Sequence, residues 1–510
     1  MKILLISPYS DISTLGLRII SAYLKRAGHS TRMIFLPYLY PEIESMVDFQ
    51  HRYTPEILNS VSELAQDVQL IGITVMTNYF TMVEDLTHHL KRTTGVPVIW
   101  GGVHPSIRPE ECLHIADFVC VSEGEATIVE LADRLAADEA IDDIPNLWLK
   151  RNGELIRNPA RSVIEDLDSL PYPDYDFNDQ FVLDWQTEEL KKLDKELLHQ
   201  FLTRERPTKA RAALFYQTIA SRGCPYGCTF CCWNVLRRKH KLPRTIRRRS
   251  NQHLIGELKW VRQELPYIRE ITFSDDSFFA ATLDEARQFR DLYKAEINLP
   301  FQCLAEPRTI TREKMEIFVD AGMANIQIGI QTGSPSVKKM YGRPQKNKEI
   351  IAMGELLHEF LPRIRPPIYD FILDNPWETV DDKIETLSLL TRLPRPYFLQ
   401  LFSLVFYPGT ALYDRAMKEG LIINEREEIY NQQYNTRKIN YVNLLFSLFS
   451  RNVPTSLLRY LSKSDVVKTL NKPSINALLR VLYKIFSRLR VIPLLVRRAL
   501  KQQKLEKLRN

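Results

Sequence analysis

The sequence is poor in the features that mark a secreted or membrane-spanning protein. It has 7 cysteines in 510 residues, scattered as Cys112, Cys120, a cluster at 224–232 and Cys303, which is no disulfide framework and fits a reducing compartment. No uncharged apolar run reaches the ~18 residues that would span a bilayer, and the opening MKILLISPYS carries no basic-then-apolar leader, so a cytoplasmic location is expected. Internal repeats and low-complexity tracts are missing as well. So is a G-x-G-x-x-G after the first strand-like run, which counts against a dinucleotide ligand. What remains is an ordinary globular composition, 45% hydrophobic and 26% charged, long enough for two or three domains with large cores.

Charge is distributed unevenly. Residues 431–510 hold 17 Lys and Arg against two acids, Asp465 and Glu506, which leaves 52 basic and 60 acidic residues in the first 430. A second basic run, RRKHKLPRTIRRR at 237–249, has no interleaved aromatics, so nucleic acid is not expected there. It reads as a solvated loop, or as a place where Arg249 meets an anionic ligand.

Residues 1–145 alternate strand-like runs (KILLIS, TRMIFL, LIGITV, PVIWGG, DFVCVS) with runs of helical period (LGLRIISAYLKRAG, FTMVEDLTHHLKR, ATIVELADRLAA). That alternation predicts a doubly wound α/β domain of Rossmann-like type, which takes ligands at the carboxyl ends of its strands. Residues 146–212, with a small hairpin at WLKRNGELI and a charged helix at 188–202, read as a linker. From 213 to 425 six more βα units follow, beginning at LFYQTIAS and ending at YFLQLFSL, the pattern of an incomplete (β/α)6 barrel of TIM type. After about 426 the pattern is helical only. There Arg480, Lys484 and Arg488 share one helical stripe and Leu478, Leu482, Ile485 and Leu489 another; such a helix either packs on the barrel or lies on an anionic membrane.

Four cysteines crowd into CPYGCTFCC at 224–232, just past the first barrel strand. Cys224, Cys228 and Cys231 have the spacing C-x3-C-x2-C. Zinc sites usually pair two short knuckles, and no second knuckle exists here; Cys232, adjacent to Cys231, must point elsewhere. Three thiolates leave one iron of a four-iron cluster without a protein ligand, open to a substrate.

SRGCPYGCTFC resembles the signature of the radical S-adenosylmethionine (SAM) enzymes. The resemblance implies a [4Fe-4S] cluster on Cys224, Cys228 and Cys231, with SAM chelating the open iron and being cleaved to a 5′-deoxyadenosyl radical. It also implies SAM contacts at matching strand ends: Ser274, Asp275 and Asp276 after the second strand, Glu306 and Arg308 after the third, Gly329 and Gln331 in IGIQTGS, and Glu378 in DNPWET. That last motif stands where the family has G-x-P-G-E-T, with both glycines replaced. FYPGTALYDRA resembles the family's closing motif.

The first domain resembles the cobalamin-binding domain that precedes the barrel in one large radical SAM class, through SPYSDISTLG, ITVMTNY, WGGVHPSIRPEE and VSEGEATIVEL. The resemblance implies cobalamin contacts at Asp11, Ser13, Gly16, Thr74, Gly101, Gly102, His104, Glu123 and Gly124. Cobalamin proteins that ligate cobalt through histidine carry D-x-H-x-x-G; here Ser13 occupies the histidine's position between Asp11 and Gly16, so no imidazole is expected on cobalt's lower face.

The activity implied is methyl transfer to an unactivated carbon of a small, or lipid-like, molecule, with no catalytic side chain assigned beyond the cluster ligands. An oxidative cyclase of the anaerobic magnesium-protoporphyrin monomethyl ester type is the alternative, and a non-catalytic cobalamin or redox sensor a third reading. An external electron donor such as flavodoxin or ferredoxin is implied, and the basic tail adds peripheral membrane contact.

Overall fold

The first sheet forms because its strands carry apolar side chains on both faces, and alternate residues feed two separate cores. In the computed structural model, which describes residues 1–37, 52–184, 187–204, 213–432, 437–451 and 453–483, β1 (Lys2–Ser7), β2 (Ser30–Phe35), β3 (Leu70–Thr74), β4 (Val98–Gly101) and β5 (Phe118–Cys120) lie parallel. Ile3 and Leu5 of β1 pack with Leu17, Leu24 and Leu131 of the helices Leu15–Arg26 and Glu125–Ala136. Leu4 and Ile6 turn to the other face, against Phe80, Leu86 and Leu90 of Phe80–Thr94. A period of two with both faces covered is what a parallel sheet between helix layers requires.

The stretch read as a linker belongs to this sheet. β6 (Leu147–Arg151) and β7 (Glu154–Arg157) add an antiparallel hairpin beyond β5, while β8 (Gln180–Asp184) pairs parallel to β2 and carries antiparallel β9 (Glu189–Lys192). The strand order is β7-β6-β5-β4-β3-β1-β2-β8-β9. The added strands cover edges that β5 and β2 would otherwise leave bare. The charged run expected as one helix from 188 to 202 is split accordingly, its first part forming β9 and its second the helix Lys195–Leu202. Strand order reverses between β1 and β3, so a crevice opens over their carboxyl ends.

In the second sheet β10 (Thr203–Arg204) lies antiparallel on β11 (Ala213–Thr218). A separate ribbon pairs β12 (Ser221–Arg222) with β13 (Arg247–Arg248). Then β14 (Glu270–Phe273), β15 (Phe301–Ala305), β16 (Met323–Gln331), β17 (Ile368–Leu373) and β18 (Phe398–Ser403) continue β11 in sequential parallel order, the six expected barrel strands. Phe273, Phe278, Phe289 and Phe301 pack ring on ring over its start.

Beyond the barrel, Tyr441–Phe449 is a helix whose Val442, Leu445, Phe446 and Phe449 are buried in the same core as the barrel strands. Its docking is fixed at Asp374, just after β17. There the carboxylate accepts hydrogen bonds from Ser403 Oγ (2.7 Å), the Lys438 amide (3.0 Å) and Asn443 Nδ2 (2.8 Å). Arg488 and Lys484 of the expected tail stripe lie outside the described residues.

Asp374 has a φ of 61°, a conformation that glycine adopts more easily. Asp374→Gly therefore removes the carboxylate without straining the backbone. Three donors lose their acceptor, about 1–3 kcal/mol of local docking free energy, and trypsin should cut after Lys438 at least roughly fivefold faster in the variant. An unchanged rate would show that Asp374 does not hold the segment.

Candidate functional site

The carboxyl ends of both sheets open into one cavity of about 590 Å³. From the first domain it is bordered by the loop after β1 (Tyr9, Thr14, Leu15, Gly16), by Thr74 and Met76 after β3, by Gly101 and Gly102 after β4, and by Ser122 to Glu125 after β5. The barrel contributes Ile219, Ser221 to Gly223, Trp233, Ser274 and Asp276. Most of this wall is apolar.

The backbone explains several of the glycines. Gly102 has φ 105°, and a Cβ there would lie 3.1 Å from the Val75 backbone and from Thr74 Oγ1. Gly16 is the reverse case: nothing stands within 4 Å of a Cβ built on it, so a side chain would project into open space. The loop before it is held tightly, with Asp11 Oδ1 accepting from the Ser13 amide (2.8 Å) and the Asp11 carbonyl from Thr14 Oγ1 (2.8 Å). Fully buried Arg18 braces it from below, donating to the Ile12 carbonyl (3.1 and 3.0 Å), to the Asp174 carbonyl (2.6 Å) and to Gln180 Oε1 (3.1 Å). The result is that Thr14, at φ 22°, faces the cavity, while Ser13 is fully buried and does not border it.

His104 does not border it either. It is fully buried between Phe80 and Tyr430, its Nδ1 3.1 Å from Thr77 Oγ1 and its Nε2 3.6 Å from Glu111, and burial lowers its pKa. This is a structural histidine that ties the first domain to the segment Arg426–Tyr430, where the Tyr430 hydroxyl donates to Glu111 at 2.6 Å. Tyr9 reaches across the crevice to Thr74, hydroxyl to hydroxyl at 3.0 Å.

The cysteine loop has its shape imposed by neighbours. Ahead of it, Asp275 is buried, and its carboxylate accepts from the Ala220 amide (3.1 and 3.0 Å) and Ser221 Oγ (2.5 Å). Burial pushes this carboxyl up to about 6. Asp275 thus acts behind the loop, and the carboxylate that borders the cavity is that of its neighbour Asp276, an exposed residue whose pKa is raised by desolvation from the surrounding protein. Within the loop, Trp233 Nε1 donates to the Cys224 carbonyl (2.9 Å) and Asn234 Nδ2 to that of Cys228 (2.7 Å). Thr229 is pinned by amide and hydroxyl to the carbonyls of Tyr341 (3.1 Å) and Met340 (2.7 Å), and Phe230 packs edge-on against Tyr341.

Cys228 is buried, and Cys224 and Cys231 are half-buried. Burial pushes the Cys224 thiol up to about 11; iron would displace that proton. Among the described residues no three His, Cys, Asp or Glu side chains gather around a single-ion position. A cluster, unlike zinc, offers each thiolate its own iron, so the donor set suits an iron–sulfur cluster with one iron left over.

Around the loop stand the other expected residues and some the sequence did not announce. Glu306 is buried and accepts from the Arg308 amide (3.0 Å) and Nε (3.1 Å); Arg308 lies over the ring of Tyr226, whose hydroxyl also bonds Glu306. A register shift between Gly329 and Gln331 leaves Gln331 at φ 71°, a bulge that re-aims its side chain. A Cβ on Gly329 would lie 2.7 Å from Gln331 Nε2, so a side chain there would push the end of Gln331 aside. Glu378 is half-buried near Tyr341, one of its oxygens lacking a hydrogen-bond partner, and burial pushes it up to about 7. Arg343 was missed: its Nη1 points at Cys228 Sγ (3.4 Å) and its Nη2 donates to the Gly329 carbonyl. Asp370 was missed too; it is buried in the barrel, accepts from Gln327 Nε2 (2.9 Å), and is pushed up to about 7. No motif marks either residue, since each acquires its meaning from a partner distant in sequence.

The basic run at 237–249 is less solvated than its composition suggests. Lys239 Nζ donates to the Ile107 carbonyl (2.6 Å), His240 Nε2 lies 2.8 Å from that of Ser106, and Arg247 is buried. Arg249 is spent internally, on Glu257 (2.6 Å).

Comparison with known proteins agrees with this geometry. Residues 1–132 match the family described as B12 binding domain, and residues 218–390 match the radical SAM superfamily. An uncharacterized methyltransferase of Pyrococcus horikoshii is 25% identical over 427 residues, covering 81% of this chain and 79% of its own. The bacteriochlorophyllide d C-8(2)-methyltransferase of Chlorobaculum tepidum is 22% identical over 430 residues, 80% of this chain and 81% of its own. Among solved structures, the radical S-adenosylmethionine methyltransferase TsrM of Kitasatospora setae, with cobalamin and a [4Fe-4S] cluster bound, shares the fold with a TM-score of 0.59 at 15% identity, over 82% of this chain and 75% of its own. The chain belongs to the radical SAM superfamily, in the group whose radical SAM domain follows a B12-binding domain.

Proposed function

We propose that this protein is a cobalamin-dependent radical SAM methyltransferase that acts on an unactivated carbon of a small molecule. The observation that carries the reading is the single cavity: the strand-end loops of the B12-binding domain and the entry to the cysteine loop face each other across it. When bound, the cluster and SAM supply a carbon-centred radical that removes a substrate hydrogen, and cobalamin supplies the methyl group.

The chain's own residues hold, orient and shield. Cys224, Cys228 and Cys231 would hold the cluster, and Arg343 offers positive charge to the Cys228 sulfur. Asp276, which borders the cavity, would receive the ammonium group of SAM, and Glu306, Arg308 and Gln331 would bind its remaining polar ends. Thr14, Gly16, Gly101, Gly102 and Gly124, which line the cavity, would hold the corrin, the glycines leaving room for it beside the backbone. Leu15, Met76 and Trp233 keep water from the space between. A low-potential one-electron carrier such as flavodoxin or ferredoxin completes the reaction.

Anaerobic turnover with SAM, cobalamin and a strong reductant tests this. The expected products are 5′-deoxyadenosine and S-adenosylhomocysteine. Deoxyadenosine alone would replace methyl transfer by an oxidative cyclisation, and neither product from cluster-loaded protein would make the chain a non-catalytic sensor.

We also propose peripheral membrane contact through the C-terminal helices. Among the described residues no helix is long and apolar enough to cross a membrane. What supports contact is an exposed apolar stripe, Leu478 (58% exposed), Val481 (55%) and Leu482 (41%) at helical spacing, with Tyr460 (55%) nearby in sequence on the preceding helices, in a region of 17 basic and two acidic residues. The full chain should sediment with phosphatidylserine vesicles at low salt and not with phosphatidylcholine vesicles. Leu478→Glu with Leu482→Glu should weaken this at least about tenfold. Failure of the wild-type chain to bind anionic vesicles would remove the proposal.

A further inference from the structure

Glu123 borders the cavity from the B12-binding domain, yet its carboxylate is already fully used. Oε1 accepts from Arg222 Nη1 (3.0 Å) and Arg247 Nη2 (2.8 Å), and Oε2 from Arg247 Nη1 (3.1 Å) and the Ile164 amide (2.8 Å). Four donors fill the four lone-pair directions of a carboxylate, which leaves none for an amide of the corrin rim. The same Arg222 gives its other nitrogen to Glu125 (2.5 Å). Two acids from one domain and two arginines from the other thus form a charge-balanced cluster, with side-chain exposures between 6% and 18%.

The place of this cluster in the chain gives it meaning. Arg222 and Arg247 are cross-strand partners on the β12–β13 ribbon, and Arg222 lies two residues before Cys224. Glu123 and Glu125 flank Gly124 on the cobalamin side. On the far side of the cysteine loop, Lys239 and His240 contact the carbonyls of Ile107 and Ser106, which end the short helix after Gly102. The cysteine loop is therefore tied to the opposite wall before its first thiol and after its last. The ionic tie is the stiffer one, because separating it would leave buried charges unpaired.

We propose that Glu123 is a positioning residue: with Arg222 and Arg247 it sets the separation between cobalt and the cluster, and it is not a ligand of cobalamin. This rests on the proposed function, in that both cofactors must be present. The test is holoprotein loaded with cobalamin and cluster and reduced so that both cob(II)alamin and the cluster are paramagnetic. Pulsed dipolar EPR then reads the distance between the two spins, alongside cobalt and iron content.

The wild type should give one narrow distance distribution. Glu123→Gln, which presents an amide N–H₂ to the arginines, should keep both cofactors and give a displaced or broadened distribution, with Arg247→Lys intermediate. A Glu123→Gln protein loaded with both and showing the wild-type distribution would overturn the proposal. So would loss of cobalamin with the cluster retained, because Glu123 would then be a cobalamin contact. If Glu123→Gln does not fold, Glu125→Gln, which frees one nitrogen of Arg222, is read by the same two criteria. A wild-type protein that yields no pair of spins contradicts the proposed function itself and not the positioning role.

Discussion

A nine-residue loop with one glycine, one proline and no regular hydrogen bonding cannot hold three thiols in place by itself, and everything at the centre of this protein follows from how that deficit is met. Asp275 takes the amide and hydroxyl that lead into the loop, Trp233 and Asn234 reach back from the following helix to its carbonyls, and Thr229 is stitched to the last turn of the helix Pro335–Tyr341. Each of these is a modest contact of about 1 kcal/mol. Together they hold the loop at its entry, its middle and its exit.

The same economy governs the meeting of the domains. The basic segment that follows the cysteines could have been a solvated loop, but its lysine and histidine reach backbone carbonyls of the first domain and its Arg247 is buried against Glu123. Docking that relied on apolar area alone would tolerate sliding; ion pairs of fixed geometry do not. The cavity therefore has walls whose relative position is set by directional bonds, while its lining stays largely apolar. That combination suits chemistry in which a short-lived radical must meet its target and little else.

Much of this was readable in the sequence, for a physical reason. Strand and helix periods are local, so the two βα series and their order could be read from apolar spacing, and the cysteine loop is a contiguous motif. Its neighbours are not contiguous. Glu123 meets Arg222 and Arg247 from 99 and 124 residues away, and Arg343 meets Cys228 from 115, distances over which no pattern in one sequence carries information. The segment 146–212 passed for a linker because its strands are short and polar on one side, and what makes them strands is the bare sheet edge they cover. His104 and Ser13 show the converse: each lies in a stretch that borders the ligand cavity, and the backbone turns each of them into the interior, leaving Thr14 to face the space that Ser13 was expected to face.

Three thiols of one loop would leave one iron of a four-iron cluster free for a second molecule. The EPR spectrum of the anaerobically reduced protein, recorded before and after addition of SAM, tests it directly. A [4Fe-4S]⁺ signal whose g-values shift when SAM is added is expected, because the amino and carboxylate groups of SAM would chelate the open iron. A signal that SAM leaves untouched, or protein that carries zinc and no inorganic sulfide, would contradict it.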